Sequence, residues 1–374
     1  MATIERPGTS GIEHRRSPLA VDLMSGMIAD AVMLVREERA TAADVDLAMQ
    51  LGAGYPVGPL TVLADSPGDF AALFGKVADD TVNALASGND ALHGPIALVG
   101  TGTMAGGIAE AIARSGRKVM VLYRSEASYE AMMMRVARSL ARSVEKGRFT
   151  AADSDGYLRN IAMTNDARQL ADCALVIEAV KEDLDAKRRT LAMLHAALPG
   201  TIPFATNTSS FRVADMAAAA PGRPVFAMHF FNPAQAMKLV ELVFPDGTDP
   251  TLRAAADSFV REIGKVPVAC ADHRGFVVNR LLIPFLNDAV RAHEGGVAVE
   301  EIDRVMVEEM GHPMGPFALI DMIGIDVMIL ALESMAETEG DPRIMPADTF
   351  YSLVDEGRLG RKSGRGFHDY GSAK

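Results

Sequence analysis

At 374 residues, 49% of them hydrophobic, the chain is long enough for two or three globular domains with buried cores. A formal net charge of −12 argues against general affinity for nucleic acid or an anionic membrane, so any anion site must be a focused one. Cys173 and Cys270 make neither a disulfide framework nor a metal motif, no run of eighteen apolar residues is present, and the first residues lack the order of a signal peptide, which together fit a reduced cytoplasm.

Residues 1–17 read as a mobile lead-in. Ala20 to Arg36 then carries apolar residues at helical spacing, and Thr41 followed by Asp44 reads as a cap that opens a second helix. The turn Gly54-Tyr55-Pro56-Val57-Gly58-Pro59 has a counterpart at Gly311-His312-Pro313-Met314-Gly315-Pro316. The shift that pairs these turns also pairs Asp46 with Asp303, Met49 with Met306 and Asp69 with Asp326, so one helical module occurs twice. The first copy runs out in Ser87 to Pro95, where turn-forming residues dominate and a domain boundary is expected.

Ile96 to Ser125 reads as strand, tight turn, helix and strand, the context that gives a G-x-G-x-x-G/A match its meaning. Gly100 makes the turn, Gly102 lets the backbone approach a pyrophosphate at the helix N-terminus, and Ala105 serves close helix–strand packing. At the end of the second strand, where an NAD site places a carboxylate for the ribose, stand Tyr123, Arg124 and Ser125. Arg124 either pairs with a 2′-phosphate or lies solvated over the adenine face, so NAD and NADP both stay open. Glu126 to Lys146 is expected as a long helix whose Arg135, Arg138, Arg142 and Lys146 make either a phosphate-binding face or a solvated surface. Strand-like runs follow at 174–180, 202–205, 225–230, 239–244 and 266–271, and from Phe276 the pattern is helical, over 276–292, 300–310 and 317–335, before a Gly- and Arg-rich tail.

His229 ends an apolar run at the carboxyl end of a predicted strand, where α/β sites form, and has the pKa range of a base for a hydroxyl proton. Glu241 lies within an otherwise apolar strand, so its carboxylate either needs a partner or is functional.

From Pro95 to Tyr370 the sequence resembles the 3-hydroxyacyl-CoA dehydrogenase family, in VGTGTMAGGIA, LVIEAV, TNTSS, MHFFNP, MKLVEL, GKVPV, GFVVNR, GHPMGPF and GRLGRKSGRGF. The resemblance implies an α/β Rossmann-type dinucleotide-binding domain over 95–272 and a helical substrate and dimerisation domain over 273–374, with 18–94 as a degenerate copy of the latter. It implies His229 as general base, Glu241 as the residue that orients and charge-stabilises it, and Ser209 and Asn279 as polar contacts to the substrate oxygen. Cofactor contacts are expected at Gly100, Gly102, Thr103, Met104, Ala105, Tyr123, Arg124, Ser125, Glu178 and Asn207, with no metal. The activity implied is interconversion of (S)-3-hydroxyacyl-CoA and 3-oxoacyl-CoA with NAD or NADP. The alternatives are the same chemistry on a carrier-protein-linked acyl group, or a non-catalytic nucleotide-binding protein.

Three positions depart from the family: Tyr123 replaces an acidic residue, Arg274 stands at the hinge where proline is common, and the N-terminal copy has Val21 where the second has Asn279. The expected partner is an acyl-CoA, with neither nucleic acid nor membrane. The protein is expected as a homodimer, or as a monomer in which residues from about Pro18 to Lys76 supply that interface in cis.

Overall fold

The computed structural model describes residues 16–70 and 92–371; most of the expected lead-in and of the boundary over 87–95 lies outside the described residues. Four helices open the fold: α1 (Pro18–Arg36), α2 (Ala42–Gly52), α3 (Pro59–Asp65) and α4 (Pro67–Phe70). Ser17 caps α1 by accepting from the Ala20 N–H, and the Thr41 hydroxyl accepts from the Asp44 N–H as the sequence predicts.

The central domain is one sheet in the order β3-β2-β1-β4-β5-β6-β7-β8. Its strands are β1 (Ile96–Val99), β2 (Val119–Leu122), β3 (Ile161–Thr164), β4 (Leu175–Glu178), β5 (Phe204–Thr206), β6 (Val225–Phe230), β7 (Leu239–Phe244) and β8 (Val266–Ala271). All neighbours through β6 are parallel, β7 runs antiparallel to β6, and β8 is parallel to β7. Helices α5 (Thr103–Arg114), α6 (Glu126–Glu145), α7 (Ala151–Arg159), α8 (Leu184–Ala197), α9 (Val213–Ala217) and α10 (Pro250–Glu262) connect the strands. Strands β1, β4, β6 and β7 are buried along their whole length, which is why they read as continuous apolar runs.

The C-terminal part comprises α11 (Val278–Glu294), α12 (Val299–Glu308), α13 (Pro316–Ile323), α14 (Ile325–Glu339) and α15 (Asp348–Asp355). The expected single helix over 317–335 is two, because Gly324 sits at φ 108° and breaks the run. Arg274 at the hinge bonds Ser334 and pairs with Glu337, both on α14. The tail folds back: the Asp321 carboxylate accepts from the Phe367 and His368 N–H groups and the Tyr370 hydroxyl.

By length and composition α1 is apolar enough to cross a membrane, but half of that stretch is buried inside the protein, above all along α11. The repeat is visible in three dimensions. Asp46 accepts from the Leu60 N–H at 2.8 Å as Asp303 accepts from the Phe317 N–H at 2.8 Å, each holding the helix start after its Gly-Pro turn. The two turns meet each other: the Tyr55 and His312 rings stack 3.7 Å apart, with Pro313 against Gly54 and Pro56 against Gly311. The contact is reciprocal: each turn's proline lies against the other turn's glycine.

Candidate active site

The sheet register places the central pair. Across the antiparallel β6–β7 step His229 lies directly opposite Glu241, and the carboxylate accepts from the ring Nδ1–H with a separation of 2.7 Å. Both side chains are buried. The second Glu241 oxygen accepts the backbone N–H groups of Val277 (3.0 Å) and Val278 (2.8 Å) at the start of α11. A buried carboxylate thus has three donors, which fixes the ring orientation and leaves Nε2 as the atom that exchanges a proton.

Asn279 and Ser209 are half-buried, on the first turn of α11 and in the loop after β5. The Ser209 hydroxyl reaches Glu182 Oε1 at 3.4 Å, while the same oxygen accepts the Thr208 hydroxyl (2.6 Å), the Ser209 N–H (2.9 Å) and the Ser210 N–H (3.0 Å). Glu182 was not among the residues read from the sequence, nor was Lys187, which bridges Glu178 and Glu182 at 3.1 Å each. Burial alone raises the Glu182 carboxyl; the Lys187 charge, with the Thr208 hydroxyl and Ser209 N–H, outweighs that and holds it below its usual range. The signal in the sequence was a lysine in line with Leu191 and Leu194 on the buried face of α8.

A cleft of about 1030 Å³ opens at the carboxyl ends of β1, β2 and β4. Gly100, Gly102, Thr103, Met104, Tyr123 and Arg124 line it. Gly100 has φ 123° and approaches Ala179 so closely that a Cβ would stand 2.5 Å from the carbonyl oxygen, whereas a Cβ on Gly102 would meet nothing. The cleft is therefore open where a pyrophosphate needs room, and α5 begins there with no side-chain cap on its N–H groups. Ala105 is buried against the sheet, as the fingerprint requires. These residues fit a dinucleotide.

Ala105, Ser125, Glu178 and Asn207, the other expected cofactor contacts, do not line the cleft. Glu178 is fully buried, its carboxylate taken by Lys187, the Thr206 hydroxyl and the Val180 N–H. Asn207 spends its Oδ1 on the Phe230 N–H at the end of β6, and Ser125 caps α6. A smaller cleft of about 280 Å³ holds Arg135, Arg138 and Arg142, three of the predicted row, together with Ser139, Asn232 and Pro233; Lys146 does not line it. Burial pushes Glu110, on its floor, above the usual carboxyl range.

The geometry has counterparts in known proteins. Residues 95–273 match the family model for the 3-hydroxyacyl-CoA dehydrogenase NAD-binding domain, and the model for that family's C-terminal domain matches twice, over 21–73 and 275–370. A 3-hydroxybutyryl-CoA dehydrogenase of Mycobacterium tuberculosis is 41% identical over 74% of this chain and 98% of that protein; the mitochondrial hydroxyacyl-coenzyme A dehydrogenase of Rattus norvegicus is 35% identical over 74% and 90%. Among solved structures, the (S)-3-hydroxybutyryl-CoA dehydrogenase of Ralstonia eutropha aligns with TM-score 0.72 at 37% identity, over 74% of this chain and 99% of that one. The dehydrogenase part of a multifunctional enzyme from Caenorhabditis elegans shares the fold over 96% of this chain and 73% of its own, with TM-score 0.54 and 23% identity. A nicotinamide-dinucleotide domain, a second domain matched in duplicate and relatives covered nearly end to end agree: the chain belongs to the 3-hydroxyacyl-CoA dehydrogenase family.

Proposed function

We propose that the protein interconverts a 3-hydroxyacyl-CoA and the 3-oxoacyl-CoA, with His229 as the base. The buried 2.7 Å contact between His229 and Glu241 carries this reading, because it readies one ring nitrogen for a single proton. A bound nicotinamide dinucleotide supplies the hydride acceptor or donor. In oxidation His229 Nε2 takes the 3-hydroxyl proton, and Glu241 stabilises the imidazolium through its charge. In reduction the imidazolium returns that proton to the oxygen. Ser209 and Asn279 hold the oxygen in line, a contribution of position rather than of proton transfer. The arginines of the smaller cleft favour an anionic handle on the acyl group.

The cofactor we infer is NADP(H). Arg124 lines the dinucleotide cleft and makes no hydrogen bond or ion pair among the described residues, and no carboxylate lines that cleft. A guanidinium free at that place suits a 2′-phosphate; a ribose diol calls for the missing acid. Acetoacetyl-CoA-dependent loss of NADPH and NADH absorbance, in parallel, tests both readings. Turnover with a kcat/KM ratio favouring NADPH supports them, equal ratios remove the role of Arg124, and silence with both removes the activity.

For the assembly we propose one chain with domains over 18–94, 95–272 and 273–374, its N-terminal module standing where a second subunit's helical domain would dock. The stacked Tyr55 and His312 turns support that reading.

A further inference from the structure

We propose that the N-terminal module positions the catalytic dyad, acting through Asp30 and Gly52 on the helix start at 277–280. The inference rests on the His229–Glu241 reading above. Glu241 is held by the N–H groups of Val277 and Val278, so the place of that helix start decides the place of the carboxylate, and with it the ring. Asn279 belongs to the same turn.

Two contacts from the N-terminal module converge there. Asp30 of α1 is 5% exposed and lies 3.0 Å from Arg280 Nη1, itself buried, while its other oxygen lies 2.8 Å from Arg343 Nη1. A buried pair of this kind is costly to break, since removing one partner strands the other charge. Gly52, the last residue of α2, touches the same region from the other side. A Cβ on it would stand 2.7 Å from Val278 Cγ2 and 2.8 Å from Leu239 Cδ2, and Leu239 lies on β7 with Glu241. Bare backbone therefore rests against both the strand that carries the carboxylate and a residue whose N–H holds it.

The support runs one way. In the alignment of the two copies that pairs Asp30 with Asp288, Asp22 takes the place of Arg280, and Val21 that of Asn279. The N-terminal copy thus has no arginine to return the pairing, and Asp288 is bound instead by Arg343 Nε at 2.8 Å. One copy keeps the substrate-facing asparagine; the other keeps its helix in place.

The test uses the full chain as wild type, Asp30→Asn, Gly52→Ala, His229→Ala and the Asp30→Asn/His229→Ala double variant. Steady-state kinetics with acetoacetyl-CoA are read beside NADPH binding by fluorescence and the downfield proton resonance of the His229 Nδ1–H, assigned by its loss in His229→Ala. Asp30→Asn and Gly52→Ala are each expected to lower kcat by about tenfold, part of what a general base supplies, with NADPH affinity within about twofold of wild type. The resonance moves upfield in both, and in the His229→Ala background Asp30→Asn costs nothing further, because residues that act as one unit are not additive. Wild-type kcat and an unmoved resonance in the two single variants overturn the proposal, as do multiplied losses in the double variant. Should Asp30→Asn fail to fold, Gly52→Ala carries the same test with every charge in place. The resonance needs no substrate: an inactive wild type whose resonance still moves in the variants would refute the proposed activity and support the positioning.

Discussion

His229 and Glu241 show how strand register makes a catalytic pair from residues twelve apart: two buried strands in an antiparallel step bring their side chains face to face on one side of the sheet. His229→Ala is expected to lower kcat by at least about 10²-fold, the usual worth of a general base, with nicotinamide-cofactor binding retained. Undiminished turnover would end the assignment. A different histidine contributes to the acid dependence of stability. Burial pushes His312, stacked on Tyr55, down to about 4 from the ordinary histidine value of 6.5. A depressed histidine stays neutral in the fold while the unfolded chain takes up a proton, so its stabilising effect is complete above pH 6.5 and is lost as pH falls toward 4. Urea midpoints for wild type and His312→Phe across pH 4 to 7 check this. The wild type should lose up to about 3 kcal/mol more than the variant over that window, at about 1.4 kcal/mol per pKa unit.

At the scale of elements, the strands that carry the chemistry are legible because they are short, mostly apolar runs bounded by turn residues: the runs at 225–230, 239–244 and 266–271 agree with β6, β7 and β8 to the residue, and β6 and β7 are buried along their whole length. The pair's residues were legible too, but not the antiparallel reversal that joins them, since no apolar pattern encodes strand direction. Strand β3 went unread because it is a half-buried edge of four residues, and α7 because none of its residues is buried and so no apolar stripe marks it. Glu178, expected at the cofactor, is buried against Lys187, a pairing between β4 and α8 that spacing alone does not disclose. The break at Gly324 carries its own expectation. At φ 108°, with a Cβ only 3.1 Å from Asp326 Oδ1, Gly324→Ala should cost about 1–3 kcal/mol through backbone strain, seen as a lower thermal midpoint with kcat little changed. The two Asp caps make a matched comparison: Asp46→Ala and Asp303→Ala should each cost about 1–2 kcal/mol in urea unfolding, since each strips an acceptor from a helix start. A cost at only one of them would refute the equivalence of the copies.

For the whole molecule, the internal repeat was readable as paired turns, while its meaning emerged only once those turns were seen to stack on each other. On the proposed assembly, the C-terminal helical domain packs on α1 and α2 as it would on a second subunit. Light scattering should therefore give a molar mass near 39.8 kDa, and a stable dimer would show that some other surface associates. The Tyr55–His312 stack then carries a consequence for work at high dilution. A docking surface shared by separate subunits empties as they are diluted below their dissociation constant, whereas one closed by the chain itself has an effective concentration set by its own connection. Specific activity should stay constant from micromolar to picomolar protein, in the range where a dimer would come apart.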